Sequence, residues 1–95
     1  MSITRINHFE SAEGKADELR QFLQGVITVV QSVDGCLGCK LLQDPDQPRR
    51  LAIVEVWDSV AAHQAAAQAI PPEEIAKVMP LLAGSPMGNY YKEVG

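Results

Sequence analysis

The sequence predicts an α+β fold in which four antiparallel strands carry helices on one face, and three observations lead there. One long segment, 15–31, has apolar residues at helical spacing. Short runs with strand character stand at 3–9, 36–43, 50–57 and 87–94. Their order, strand, helix, strand, strand, helical region, strand, is the split βαβ arrangement called ferredoxin-like.

The first strand alternates Ile3, Arg5, Asn7 and Phe9 on one face with Thr4, Ile6 and His8 on the other. Residues 10–14 form a loop. The long helix follows, with Leu19, Phe22, Leu23, Val26, Ile27 and Val30 on its apolar stripe and Asp17 and Glu18 favouring its amino end. Gly25 inside it costs about 1 kcal/mol relative to alanine, so close packing is expected there. Asp34-Gly35 ends the helical region, and the strand 36–43 turns through Asp44-Pro45-Asp46-Gln47-Pro48 into the strand 50–57, making a hairpin. Asp58 and Ser59 are both good caps for an alanine-rich helix reaching about residue 69. Pro71-Pro72 stops that helix, Pro72-Glu73-Glu74 opens another, and Pro80 closes it. A connector over 81–86 leads to the last strand.

Composition bounds the function. The chain has 95 residues, 46% of them hydrophobic and 21% charged, which makes one domain over 1–95 with a thin core. Mean hydropathy is −0.04 and no apolar tract is long enough to span a bilayer. The first eight residues lack the basic and apolar regions of an export signal, so a cytoplasmic location is expected, with no membrane partner. A net charge of −4 with scattered cations argues against nucleic acid as a partner. Cys36 and Cys39 provide half a zinc site at most, and in a regular strand residues three apart point to opposite faces. Both are expected to be reduced thiols, and no metal site is expected.

The segment Leu51-Ala52-Ile53-Val54-Glu55-Val56-Trp57 is apolar on both faces, Ala52, Val54 and Val56 opposing Leu51, Ile53 and Trp57. Helices cover one face of such a sheet. The other would expose a patch too large for a monomer, so a homodimer packed sheet to sheet is expected. Glu55 and Trp57 break the apolar run on one side, where a carboxyl group and an indole N–H both need partners. Arg5 on a neighbouring strand is the expected partner of Glu55.

Several motifs resemble the antibiotic biosynthesis monooxygenase (ABM) family of dimeric α/β-barrel proteins. They are Glu13-Gly14-Lys15 before the long helix, Asp34-Gly35-Cys36-Leu37-Gly38 leading to Leu42-Gln43-Asp44, Val54-Glu55-Val56-Trp57-Asp58-Ser59, and Leu81-Leu82-Ala83-Gly84. The resemblance spans nearly the whole chain. It implies a dimeric α/β barrel and, in the oxygenase branch, oxidation of a quinol or polycyclic phenol by O2 without a cofactor. The substrate's own anion supplies the electrons there, and the protein excludes water, orients the ring and stabilises the phenolate. A non-catalytic dimer that holds a small apolar ligand in the same cavity, or serves in stress, is the alternative.

On that resemblance Trp57, His63 and Asn7 are the candidate catalytic residues, and Glu55, Phe22, Tyr90 and Tyr91 the candidate substrate-binding ones. Trp57 is either a pocket wall with an indole donor or a core aromatic. His63, six residues on, is either a base facing the cleft or a surface histidine. Glu55 either orients His63 or plays a structural part. One of Tyr90 and Tyr91 points to the helix-side cavity and the other to the dimer barrel. Haem-degrading relatives pair an asparagine at the place of Asn7 with a tryptophan and a later iron-binding histidine, but 67–80 contains no histidine. The Ile70-Pro71-Pro72 break also departs from the family's usual Ser-Pro-His-Phe-like turn.

Overall fold

The computed structural model describes residues 2–95. Its elements are β1 (Ile3–Glu10), α1 (Ala16–Val30), β2 (Cys36–Gln43), β3 (Arg50–Trp57), α2 (Val60–Gln68), α3 (Pro72–Val78), a 3-10 turn (Met79–Leu81) and β4 (Met87–Tyr91). The four strands form one antiparallel sheet in the order β2-β3-β1-β4. This is the expected βαββαβ arrangement. The last strand stops at Tyr91 rather than near residue 94 because Tyr91 pairs with Thr4, and β1 has only Ile3 beyond that point.

Local chemistry explains the punctuation. In the β2–β3 turn the Asp44 carboxylate accepts the backbone N–H groups of Asp46 at 2.8 Å and Gln47 at 3.1 Å, closing a local turn before Pro48. Those two bonds hold the Asp44 carboxyl below the usual carboxylate range. Of the two candidate caps for α2, Ser59 is the one used, its hydroxyl accepting from Ala62 N at 3.1 Å. Asp58 instead donates its backbone N–H to Gly35 O.

The core lies between α1 and the sheet. Leu19 and Leu23 from α1 bury themselves against Leu51 and Ile53 of β3, with Phe9, Phe22, Val26, Ile27 and Leu41 packed around them. The register puts Ile3, Arg5, Asn7 and Phe9 on the helix face beside Trp57, Glu55, Ile53 and Leu51. On the opposite face lie Ile6, Ala52, Val54, Val56, Leu42, Met87 and Tyr91, among which Leu42, Met87 and Tyr91 are exposed.

Two expectations need correction. Gly25 sits at an exposed position of α1, and a Cβ there would meet nothing within 4 Å, so no close packing accounts for it. A β-bulge between Cys36 and Gly38 inserts Leu37 as an extra residue in β2, and it shifts the alternation by one. Cys36 then pairs with Trp57 and Cys39 with Glu55, so both thiols share the helix face rather than opposing each other. They are free thiols. Among the described residues no three His, Cys, Asp or Glu side chains gather to hold a metal ion, and no helix is long and apolar enough to cross a membrane.

Gly35 has φ +90°, and a Cβ on it would stand 2.8 Å from Ala62 Cβ in α2. This bare position lets α2 approach the sheet. Gly35→Ala is therefore expected to destabilise the fold by about 1–3 kcal/mol, from a left-handed backbone carrying a side chain and from the clash. Gly25→Ala should do the reverse and stabilise by about 0.5–1 kcal/mol. Urea unfolding of the two variants checks both, and a stabilised Gly35→Ala would contradict this account of how α2 is seated.

Candidate active site between the sheet and the second helix

The pairing of β2, β3, β1 and β4 sets four chemically active side chains in one row across the helix face: Cys39, Glu55, Arg5 and Tyr90. Each comes from a different strand. Trp57 stands two residues beyond Glu55 on the same face, and α2 lowers His63 onto the row from above.

Glu55 is 6% exposed and Trp57 1%. The indole Nε1–H donates to Glu55 Oε1 at 2.8 Å, which satisfies both groups within one strand. Arg5, although directly opposite Glu55 in the register, is not its partner. Its Nε donates to Asn7 Oδ1 at 3.1 Å, and its guanidinium carbon lies 4.7 Å from the centre of the Tyr90 ring. Gly88, opposite Asn7 on β4, makes this possible, because a Cβ there would overlap Asn7 Oδ1 and the guanidinium.

His63 is wedged between two aromatic side chains. Its ring meets Trp57 edge-on with centroids 5.5 Å apart and Tyr90 edge-on at 5.3 Å. Nδ1 lies 2.5 Å from the Tyr90 hydroxyl, and Nε2 faces Glu55 Oε1 at 3.9 Å. Burial pulls the His63 pKa below its ordinary 6.5; Glu55 pushes it back up and Arg5 further down. Burial first, then the Glu55 and Cys36 charges, push the Cys39 thiol up to about 12. Cys39 is thus a thiol rather than a nucleophilic thiolate at neutral pH.

The structure gathers Trp57, His63, Glu55 and Tyr90 into one cluster, and Asn7 joins through Arg5. Two candidates fall outside it. Tyr91 pairs with Thr4 on the opposite sheet face, since neighbouring strand residues alternate, and Phe22 packs into the main core under α1. The space over Trp57 is taken by His63, so the indole N–H is not a free donor. Two clefts lie elsewhere. One of about 250 Å³ runs between α1 and β2, lined by Arg20, Gln24, Ile27, Leu41, Gln43 and Leu51, and one of about 210 Å³ is lined by Glu10, Gln47, Pro48, Arg49 and Arg50. Sequence reasoning placed Arg5 beside Glu55 but missed that its partners are Asn7 and Tyr90. Its alternation with Asn7 was the available signal, but the register that sets it against Tyr90 was not.

The family pattern of antibiotic biosynthesis monooxygenases matches residues 2–75. The chain belongs to the ABM family. Among solved structures it is similar to a candidate antibiotic biosynthesis monooxygenase of Chloroflexus aurantiacus, at 30% identity and TM-score 0.79, covering 100% of this chain and 95% of that one. It is also similar to protein SO0527 of Shewanella oneidensis, at 29% identity and TM-score 0.83, covering 95% and 88%. The Rv0793 protein of Mycobacterium tuberculosis shares the fold at 22% identity and TM-score 0.85, covering 100% and 97%. No protein of curated function matches this ABM-family chain.

The Glu55–Trp57 bond has a measurable consequence at His63. In Trp57→Phe the buried carboxyl loses its donor, at a cost of about 1–3 kcal/mol, and His63 becomes its nearest polar partner. The His63 pKa should therefore rise in Trp57→Phe and fall in Glu55→Gln, which removes the group that raises it. NMR titration of the His63 ring reads both, and shifts in the same direction would contradict the arrangement.

The lowered His63 pKa also sets a pH window for stability. The folded state binds its proton less readily than the unfolded chain, whose ordinary value is 6.5. The stability contributed by the neutral ring is complete above that value and is lost as pH falls through the lower folded-state value. Denaturation midpoints between pH 7.5 and 5 should fall less in His63→Gln than in wild type.

Proposed function

We propose that this ABM-family chain is a cofactor-independent monooxygenase that oxidises a quinol or polycyclic phenol with O2. The observation that carries the reading is the half-buried His63, its pKa held below the ordinary value by burial, with Nδ1 2.5 Å from the Tyr90 hydroxyl and Nε2 3.9 Å from Glu55 Oε1, beside Trp57. Removing the substrate's phenolic proton produces an anion rich enough in electrons to reduce O2 directly. One oxygen atom enters the ring system and the other leaves as water, so the reaction balances without an external reductant. The protein's tasks are to accept the proton, to hold the ring against an apolar wall, and to stabilise the negative charge that develops. Family membership supports the same class of chemistry.

A second reading rests on a different observation. The cluster's polar groups are largely satisfied by one another, and the two clefts of about 250 and 210 Å³ lie away from it. A dimer that holds a small apolar ligand without turning it over fits that arrangement, because a site already closed on itself needs a rearrangement to admit a substrate.

The assembly proposed with either reading is a homodimer joined through the sheet face opposite the helices, in the manner of a dimeric α/β barrel. Support comes from the run of Ile6, Leu42, Ala52, Val54, Val56, Met87 and Tyr91 on one uncovered face. Leu42, Met87 and Tyr91, on the two edge strands of that face, are 49%, 68% and 47% exposed in the single chain and flank Val54, Val56 and Ile6 in its middle.

Oxygen uptake over a panel of hydroquinones and anthrone-like phenols, with no added cofactor, tests the oxygenase reading. Uptake should follow a single acidic limb whose midpoint lies below 6.5, matching the lowered His63 value. Tight binding of the same compounds with no uptake would favour the binding protein instead. Sedimentation at micromolar concentration should give twice the chain mass. Val54→Asp should yield monomer or unfolded chain, since burying an unpaired carboxylate costs several kcal/mol.

A further inference from the structure

We propose that Tyr90, rather than His63, is the group that meets the substrate hydroxyl, and that it passes its own proton to His63 Nδ1 in a two-proton relay backed by Glu55. The proposal deepens the oxygenase reading and rests on it. Nδ1 is already hydrogen-bonded, and Nε2 faces a carboxylate oxygen 3.9 Å away, too far for a direct hydrogen bond. Nδ1 is 2.5 Å from the Tyr90 hydroxyl, Nε2 faces Glu55, and Trp57 closes one side of the ring. A substrate hydroxyl reaches a free imidazole nitrogen only by displacing one of these neighbours.

The tautomer follows from the carboxyl group. A carboxylate oxygen accepts and does not donate, so the charge of Glu55 favours the tautomer of neutral His63 that carries its hydrogen on Nε2. That leaves the Nδ1 lone pair facing the Tyr90 hydroxyl, which donates to it. The Tyr90 oxygen retains lone pairs with which to accept a second hydrogen bond, from a substrate. Tyr90 is half-buried, and the Arg5 guanidinium 4.7 Å from its ring centre supplies positive charge where an anion develops.

The relay then balances. The substrate O–H bond breaks and its proton goes to Tyr90 Oη. The Tyr90 O–H bond breaks and its proton goes to His63 Nδ1. The result is a substrate anion, a neutral Tyr90 and an imidazolium whose Nε2–H faces the Glu55 carboxylate. Arg5, Glu55 and Tyr90 are the charged or titratable groups around His63 from β1, β3 and β4: Glu55 favours the imidazolium, while Arg5 opposes it and favours the anion that forms beside Tyr90. The carboxyl–imidazole–hydroxyl order is the logic by which a base activates a hydroxyl in nucleophilic enzymes, used here to move a proton rather than to form a covalent bond.

Two measurements on the 95-residue chain decide the matter. Nitrogen-15 NMR of the ligand-free protein should show His63 in the Nε2–H tautomer, with the Nδ1 signal shifted in Tyr90→Phe; an Nδ1–H tautomer in wild type overturns the relay whatever the substrate. With a quinol that wild type consumes, Tyr90→Phe should lose about 100-fold in rate with its fold intact by circular dichroism, in the range typical of acid–base groups. His63→Ala should lose a similar amount, and the double variant little more. Rates in mixtures of H2O and D2O should depend quadratically on deuterium content in wild type. A Tyr90→Phe enzyme that keeps the wild-type rate while His63→Ala loses it refutes the relay and leaves the oxygenase reading standing. A wild type that consumes no oxygen with any quinol refutes the oxygenase reading itself, and with it the role of Tyr90.

Discussion

A carboxyl group in the apolar central strand costs several kcal/mol unless it is partnered, and the indole of Trp57 partners Glu55 at 2.8 Å from two residues along the same strand. The site is organised around that bond. It fixes the indole plane that forms one wall for His63, and it orients Glu55 Oε1 towards His63 Nε2. Both groups lie on the face of β3 that α1 and α2 cover, so the same hydrogen bond belongs to the core and to the candidate site. Removing either partner disturbs stability and proton affinity together.

The helix that carries His63 is the least firmly held part of the arrangement. α2 is short, has no fully buried residue, and is anchored by the Ser59 cap and the close approach of Ala62 to Gly35. Elements with few buried contacts open more readily than a packed core. A substrate that enters between sheet and helix therefore meets its softest boundary at α2, whereas α1, held by Leu19 and Leu23, provides the rigid one. The proline break at Pro71-Pro72 lets the chain turn into α3 directly after α2.

Family membership establishes the architecture, and folds of this kind host different activities. In this chain the sheet presents the row Cys39, Glu55, Arg5, Tyr90 with His63 above it. A thiol pushed up to about 12 at one end of the row is no nucleophile at neutral pH, and the remaining titratable groups stand in the order Tyr90, His63, Glu55. Tyr91 belongs instead to the open face of the sheet because it follows Tyr90 by one residue in a strand.

Periodicity within each element was legible in the sequence: the stripe Leu19, Leu23, Val26, Ile27 on α1, the two apolar faces of β3, and the shared side of Glu55 and Trp57 all follow from repeats of 3.6 and 2 residues. The element order then implied the sheet. What the sequence did not disclose were relations between elements. That Glu55 binds Trp57 rather than Arg5, that Tyr90 and not Tyr91 meets His63, and that Phe22 serves the core depend on register and helix placement. Leu37 shows why local rules fail there: one extra residue in β2 moved Cys36 onto the face of Cys39 and reversed the alternation. Side-chain periodicity is a property of a single backbone segment and is written in the chain. Register, bulges and the seating of α2 on Gly35 are set by the balance of contacts among distant segments, and only the folded structure resolves them.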